Sequence, residues 1–288
     1  MKRQLIVFLF CLLAIVGNAQ RKRAFMVGVS HYDTALTGYQ WNNINGVEDI
    51  KLLSPVLKKQ GFYLTTLLDG QATYQDITTQ LTTFTNKTKK GDIVYLHFST
   101  HGQPVEDIDG DEDDGWDEAI VPIDAYKLYK KGEYEGKKHL LDDQLNTYIE
   151  KLRSKIGPTG FLYVVIDACH AGTSSRANDE SIRGTNVGFT PSRKIFKPSP
   201  DKKSHYKIEA SPKLSHVLFI EACRADQVNR EIKIEDKHYG PLSYNIAQAL
   251  SAKPLTNNAS DFLNSLKATI IKGGQWPNNQ NIVTETSY

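Results

Sequence analysis

Short apolar runs that alternate with amphipathic stretches are the feature that most constrains the fold of this chain. The apolar runs have the length of strands, and the stretches between them space apolar residues three or four apart, as one helical face requires. Such alternation indicates a mostly parallel sheet that helices cover on both faces, so we predict an α/β fold. The predicted strands are 24–29, 62–68, 92–99, 119–123, 161–166 and 217–222, and the predicted helices begin near 47, 73, 142, 242 and 260.

The amino terminus has the layout of a secretory signal peptide. Lys2 and Arg3 precede twelve apolar residues at 5–16, and small or polar residues follow up to Ala19. Twelve apolar residues are too few to span a bilayer, although an uncleaved anchor is the alternative. We therefore predict cleavage near Ala19 and a secreted or periplasmic protein that is not membrane-spanning once mature. The remaining residues, 20–288, are predicted to form one domain.

The charge of the chain is nearly balanced, with 35 Lys and Arg against 33 Asp and Glu. Removal of 1–19 takes away two bases and leaves 33 of each sign. A balance this even argues against a nucleic-acid partner, which would need a basic surplus. The distribution is uneven, however: nine acids and no bases lie between Glu106 and Glu118, whereas the segment 176–207 holds eight bases and three acids.

The segment 171–212 has no hydrophobic period and is rich in Ser, Pro, Lys and Arg. It is longer than compact domains usually tolerate without a functional reason. We predict that it is a mobile loop and that the chain can be processed there.

Two predicted strands end abruptly in a reactive side chain, His101 and Cys169. Functional groups gather beyond the carboxyl ends of parallel strands, so the two side chains would meet if the strands are neighbours. An imidazole can activate a thiol as a nucleophile, and the backbone N–H groups of Gly102 and Cys169 can form an oxyanion hole. The alternative is a buried structural thiol beside a hydrogen-bonded loop histidine.

Cys223 follows another predicted strand and is interpreted as a small buried hydrophobic residue. The predicted mature chain keeps only Cys169 and Cys223, which are too few for a disulfide framework. One bridge between them is possible in principle, but we predict two free thiols.

Five segments together resemble the caspase-like cysteine peptidases, and most closely their metacaspase and prokaryotic metacaspase-like (orthocaspase) branch. They are 97–102 (HFSTHG), 109–118 (DGDEDDGWDE), 121–124 (VPID), 167–172 (DACHAG) and 221–227 (EACRADQ). The resemblance implies a caspase-hemoglobinase-like three-layer sandwich with a mostly parallel central sheet flanked by helices. It also implies a catalytic dyad of His101 and Cys169 that hydrolyses peptide bonds and needs no cofactor for the chemistry.

The resemblance also implies a pocket for a basic substrate side chain. Asp167 lies two residues before the proposed nucleophile, and Asp49 lies on the first predicted helix. Metacaspases use acidic residues at matching places to bind Arg or Lys, with a Ser at the position of Ser99. Carboxylates suit a basic side chain and repel an acidic one. A solvated helix residue is the alternative for Asp49.

The acidic stretch is either a solvated loop or a cation site. An EF-hand register from Asp107 puts Glu112 at the sixth place, where the sharp turn needs Gly, so an EF-hand is excluded. The family resemblance implies instead a calcium site at Asp117, Asp142 and Asp143. A fourth ligand would fall near Arg176, which departs from the family pattern.

We therefore predict a secreted, monomeric cysteine endopeptidase that cleaves peptides or proteins after Arg or Lys. Activation by Ca²⁺ is a hypothesis that the missing fourth ligand leaves open. The bases of 176–207 make self-processing a further hypothesis. A catalytically silent, calcium-binding interaction module is the main alternative. A phosphate-binding doubly wound domain is disfavoured because no Gly-rich fingerprint follows the first strand.

Overall fold

The computed structural model describes residues 20–32, 41–110, 112–170, 182–198, 202–273 and 275–288. In this part of the chain the helices are α1 (Gly46–Lys59), α2 (Tyr74–Lys87), α3 (Asp142–Ile156), α4 (Pro241–Ala252) and α5 (Ala259–Gly273). The strands are β1 (Lys22–Gly28), β2 (Phe62–Leu68), β3 (Ile93–Ser99), β4 (His101–Glu106), β5 (Trp116–Val121), β6 (Leu140–Leu141), β7 (Phe161–Ile166), β8 (His205–Lys207), β9 (His216–Glu221), β10 (Ile232–Ile234), β11 (Lys237–Tyr239) and β12 (Val283–Thr286).

A seven-stranded sheet in the order β2-β1-β3-β7-β9-β12-β8 forms the centre of the molecule. Strands β1, β2, β3, β7 and β9 are mutually parallel, and β12 runs antiparallel to β9. Apolar side chains of α2 and α3 pack on one face, and those of α1, α4 and α5 pack on the other. The three-layer α/β prediction is therefore confirmed.

The local sequence explains these layers. All seven residues of β3 are buried, as expected of a parallel strand that is covered on both faces. Each flanking helix buries only one side; α2, for example, buries Ile77, Leu81 and Phe84. Its amino terminus is capped by Thr73, whose side chain accepts a hydrogen bond from the backbone N–H of Asp76.

Several elements were not predicted. Strand β4 begins at His101 and pairs antiparallel with β5. Strand β12, near the carboxyl terminus, joins the seven-stranded sheet beside β9. Both carry polar side chains and lack an apolar run, so hydrophobic periodicity does not reveal them. The short strand β8 pairs with β12 and lies inside 171–212, for which we predict no regular element.

Some predictions fall on residues that are not described. The signal peptide at 1–19 lies outside the described residues, as do 171–181 and 199–201 of the long loop. No helix within the described ranges is both long and apolar enough to cross a membrane.

Candidate active site

The ends of β3 and β7 bring His101 and Cys169 to the same edge of the sheet. The two strands are adjacent and parallel, and Phe98 pairs with Ile166 at their carboxyl ends. His101 lies three residues beyond Phe98 in the sequence, and Cys169 lies three residues beyond Ile166. Both side chains are therefore carried by a rigid, buried part of the fold.

The environment of His101 fixes which ring nitrogen holds a proton. Its Nε2 lies 2.8 Å from the backbone oxygen of Asn42, and a carbonyl oxygen can only accept, so Nε2 is the protonated nitrogen. Burial lowers the pKa of His101 to about 3, which keeps the ring neutral near pH 7. The buried Nδ1 has no hydrogen-bond partner among the described residues and retains its lone pair. The ring also stacks on Trp41, with centroids 4.8 Å apart.

Cys169 is almost completely buried, with 1% of its surface exposed. Its Sγ donates a hydrogen bond to the backbone oxygen of Gln227 at 3.0 Å. The second thiol, that of Cys223, packs against it, and neither cysteine is part of a disulfide in this structure.

Two backbone N–H groups beside the thiol converge on one carbonyl oxygen. The N–H groups of Gly102 and Cys169 donate to the oxygen of Arg183 at 3.2 and 3.0 Å, respectively. Gly102 is required for this approach, because a Cβ there would lie 2.6 Å from the backbone oxygen of Cys169. The two donors predicted for an oxyanion hole are therefore paired with a carbonyl of the chain itself.

The guanidinium of Arg183 occupies a pocket made of the predicted acidic residues. Its Nη1 donates to Asp49 Oδ2 and to Ser99 Oγ, both at 2.6 Å, and lies 3.9 Å from Asp167 Oδ2. On the opposite edge, Nε and Nη2 donate to Glu231 Oε1 at 3.1 and 2.8 Å. Arg183 has no exposed surface, so its charge is compensated entirely inside the protein.

Asp49 is fully buried, and the alternative of a solvated helix residue is therefore wrong. Burial raises its pKa to about 7, while the charge of Arg183 opposes this rise. The other predicted carboxylate, Asp167, accepts hydrogen bonds from Asn229 Nδ2 at 2.7 Å and from the N–H and Oγ of Ser243 at 2.8 and 2.6 Å. These neighbours hold Asp167 in place at one side of the pocket.

The residues on either side of Arg183 form β-bridges with the walls of the cleft. Before it, Ile182 forms an antiparallel bridge with Arg230. After it, Gly184 forms parallel bridges with Gly102 and Cys169. A Cβ on Gly184 would lie 1.9 Å from the backbone oxygen of Cys169, so only a residue without a side chain can pass this close to the backbone of Cys169. The segment 182–184 is therefore bound as a peptide lying across the cleft.

Several residues of this site are not singled out by any sequence pattern. Arg183 is one of eight bases in the segment 176–207, and Glu231 belongs to no motif. Glu231 is held by Asn45, whose N–H donates to Oε1 at 2.6 Å and whose Nδ2 donates to Oε2 at 2.5 Å. The dipeptide Arg183-Gly184 within the basic loop is the one sequence signal that points to the occupied pocket.

The predicted calcium ligands lie apart from this pocket. Asp142 Oδ1 is buried without a hydrogen-bond partner, as a cation ligand could be. Within the described ranges, however, no three His, Cys, Asp or Glu side chains are grouped closely enough to hold a metal ion, so Asp117, Asp142 and Asp143 do not form a complete site. Asp142 instead borders a cavity of about 590 Å³, the acidic cavity, whose lining also includes Glu118, Glu221, Glu285, Cys169 and Cys223.

The three-layer fold, the His and Cys at adjacent strand ends and the paired backbone donors define a caspase-type cysteine peptidase domain. The model of the caspase domain family matches residues 21–286, so this chain belongs to that family, whose members are cysteine-type endopeptidases.

Known proteins similar to this chain are metacaspases. Metacaspase-1 of Meyerozyma guilliermondii is 24% identical over 295 residues, covering 88% of this chain and 67% of its own length. Metacaspase-1B of Aspergillus fumigatus is 30% identical over 166 residues, covering 54% of this chain but only 36% of its own length. The solved structure of protein GSU0716 from Geobacter sulfurreducens superposes with a TM-score of 0.62 at 20% identity, covering 93% of both chains, and it supports the fold alone.

Proposed function

We propose that this protein is a secreted cysteine endopeptidase that cleaves after Arg or Lys and that first cleaves its own Arg183–Gly184 bond. One observation carries the proposal: the Arg183 side chain fills the acidic pocket while its carbonyl oxygen accepts from the N–H groups of Gly102 and Cys169. A substrate with a basic residue before the scissile bond would be bound in the same way.

The chemistry follows from this arrangement. The Cys169 thiolate attacks the carbonyl carbon of the basic residue, and the resulting oxyanion is stabilised by the N–H groups of Gly102 and Cys169. His101 Nδ1 accepts the thiol proton and then donates it to the leaving amine, which is that of Gly184 in the first turnover. Water hydrolyses the thioester and releases the new carboxylate.

The same proposal includes removal of 1–19 as a signal peptide, action as a monomer, and 20–288 as a single peptidase domain. It also includes calcium as an activator, which rests on the family resemblance. None of the catalytic steps above uses the ion.

Self-cleavage is tested with wild type and Cys169→Ala, each purified alone. We expect wild type to yield a fragment whose amino terminus is Gly184, whereas Cys169→Ala and Arg183→Ala stay intact at this bond. Amino-terminal sequencing of the fragments measures this directly. Nicking of Cys169→Ala at the same rate as wild type would exclude self-processing.

The competing function is a catalytically silent interaction module that binds calcium. Fluorogenic peptides ending in Arg, Lys or Asp, assayed with calcium and with chelator, separate the two functions. We expect turnover of the Arg and Lys peptides only, and absence of turnover under every condition would refute the peptidase proposal.

A further inference from the structure

The proposed nucleophile has a second thiol beside it. Cys169 Sγ and Cys223 Sγ both donate toward the backbone oxygen of Gln227, at 3.0 and 3.6 Å. The side chains of the two cysteines pack together in one small cluster. Cys169 therefore lies against a second thiol.

The sheet brings these cysteines within bridging distance. Strands β7 and β9 are adjacent and parallel, and Ile166 pairs with Glu221 at their carboxyl ends. Continued two residues past these ends, the same register would place Cys223 opposite the residue that precedes Cys169. Neighbouring strands lie about 4.8 Å apart, and disulfides span Cα atoms about 4.4–6.8 Å apart. A bridge would thus need side-chain rotation and little backbone movement.

Both thiols border a cavity that is separate from the pocket around Arg183. Cys169 and Cys223 line the acidic cavity, and the described lining of that cavity does not include residues 182–184. The hydrogen bond with Cys169, together with burial, raises the pKa of the Cys223 thiol. Cys223 is therefore held protonated and does not compete with Cys169 as the first nucleophile.

We propose that Cys169 and Cys223 form a reversible disulfide that switches the peptidase off under oxidising conditions. The inhibition rests on the proposed function, whereas the bridge itself does not. The Cys169 thiolate attacks a small external disulfide and expels one of its sulfurs as a thiolate. Cys223, after losing its proton, attacks the Cys169 sulfur of this mixed disulfide and expels the second thiolate. The two protein thiols are oxidised, and the external disulfide is reduced to two thiols.

The test uses the whole chain equilibrated in buffers of reduced and oxidised glutathione, whose linear disulfide releases two thiols as the proposed step requires. Acid quenching, alkylation and peptide mass spectrometry then count free thiols. We expect Cys169 and Cys223 to lose alkylation together and to appear in one cross-linked peptide. Because the thiolate is the nucleophile, turnover of an Arg peptide should fall by about tenfold or more in parallel and return on reduction.

Cys223→Ser is the matched variant, since it keeps the size of the side chain and removes the second sulfur. It should stay active in the oxidised buffer that inactivates wild type. Equal loss of activity in both proteins, or alkylation of both cysteines of wild type in the most oxidising buffer, would overturn the proposal. If the variant does not fold, the cross-linked peptide of wild type decides alone. If no peptide is turned over but the bridge forms, the peptidase proposal fails and the disulfide stands.

If self-cleavage occurs after Arg183, the two cysteines lie on different fragments. Oxidised protein should then migrate as one band on a denaturing gel without reductant and as two bands with it. Two bands under both conditions would mean that the bridge does not form in the processed protein.

Discussion

The carboxylates of Asp49 and Asp167 beside Arg183 are fully buried, whereas those that line the acidic cavity are partly buried. The two groups also differ in the charges that surround them. In the pocket, the guanidinium of Arg183 opposes the rise that burial causes in the pKa of Asp49. In the cavity, Glu118 and Asp142 have pKa values that burial raises, and neighbouring acids raise them further. The pocket is thus complementary to a guanidinium, whereas the cavity carboxyls favour a proton or a cation.

The strongest test of this contrast is Asp49→Asn. Breaking a buried ion pair by removing one partner costs about 3–5 kcal/mol, so kcat/KM for Arg peptides should fall by roughly 100-fold or more. Ser99→Ala is the control, because it removes only a neutral hydrogen-bond partner of the same guanidinium and should cost about 1 kcal/mol. Circular dichroism checks that both variants fold. Activity of Asp49→Asn close to that of wild type would mean that substrates do not use this pocket.

The parts of the site that lie at strand ends could be predicted from the sequence, and those carried by irregular segments could not. Apolar runs reveal β3 and β7, and the rule for parallel sheets then places His101 and Cys169 together. Arg183 reaches Asp49 across 134 residues from a segment without any period. Glu231 lies in a polar stretch before β10, and Asn42, which orients His101, contributes only a backbone oxygen. Such contacts depend on the tertiary path of a loop, and no local pattern encodes it.

The cavity makes a prediction about stability and pH. Burial, then Glu285 and Asp142, raise the pKa of Glu221 to about 8 from an ordinary value near 4.5. Because folding raises the pKa of this carboxyl, its contribution to stability is fully present when the pH lies below the pKa of the unfolded state. The contribution is lost as the pH rises through about 8. The free energy of unfolding should therefore fall by at most about 1.4 kcal/mol per pH unit between about pH 5 and 8, where only the unfolded carboxyl is ionised. Glu221→Gln should flatten this dependence in urea titrations, and an unchanged slope would contradict the assignment.

The calcium ligand predicted at Asp142 borders the same acidic cavity. If the ion binds at Asp142, free calcium at about ten times its Kd should stabilise the fold by roughly 1.4 kcal/mol, seen as a rise in Tm. Asp142→Asn should abolish the rise, whereas Asp113→Asn, which alters an exposed acid of the loop between β4 and β5, should keep it. A rise that Asp142→Asn leaves intact would place any calcium site elsewhere.

The smallest predicted effect concerns the choice between Arg and Lys. Glu231 contacts Nε and Nη2, a guanidinium edge that Lys lacks, while Asp49 and Ser99 contact Nη1. Glu231→Gln should therefore weaken turnover of Arg peptides more than that of Lys peptides and lower the Arg-to-Lys ratio of kcat/KM about fivefold, which is about 1 kcal/mol. Asp49→Asn should lower kcat/KM for both peptides and leave the Arg-to-Lys ratio nearly constant, because either cation can pair with the Asp49 carboxylate. A ratio that Glu231→Gln does not change would show that Glu231 only supports the fold of the pocket, since a general loss of its shape would affect both peptides alike.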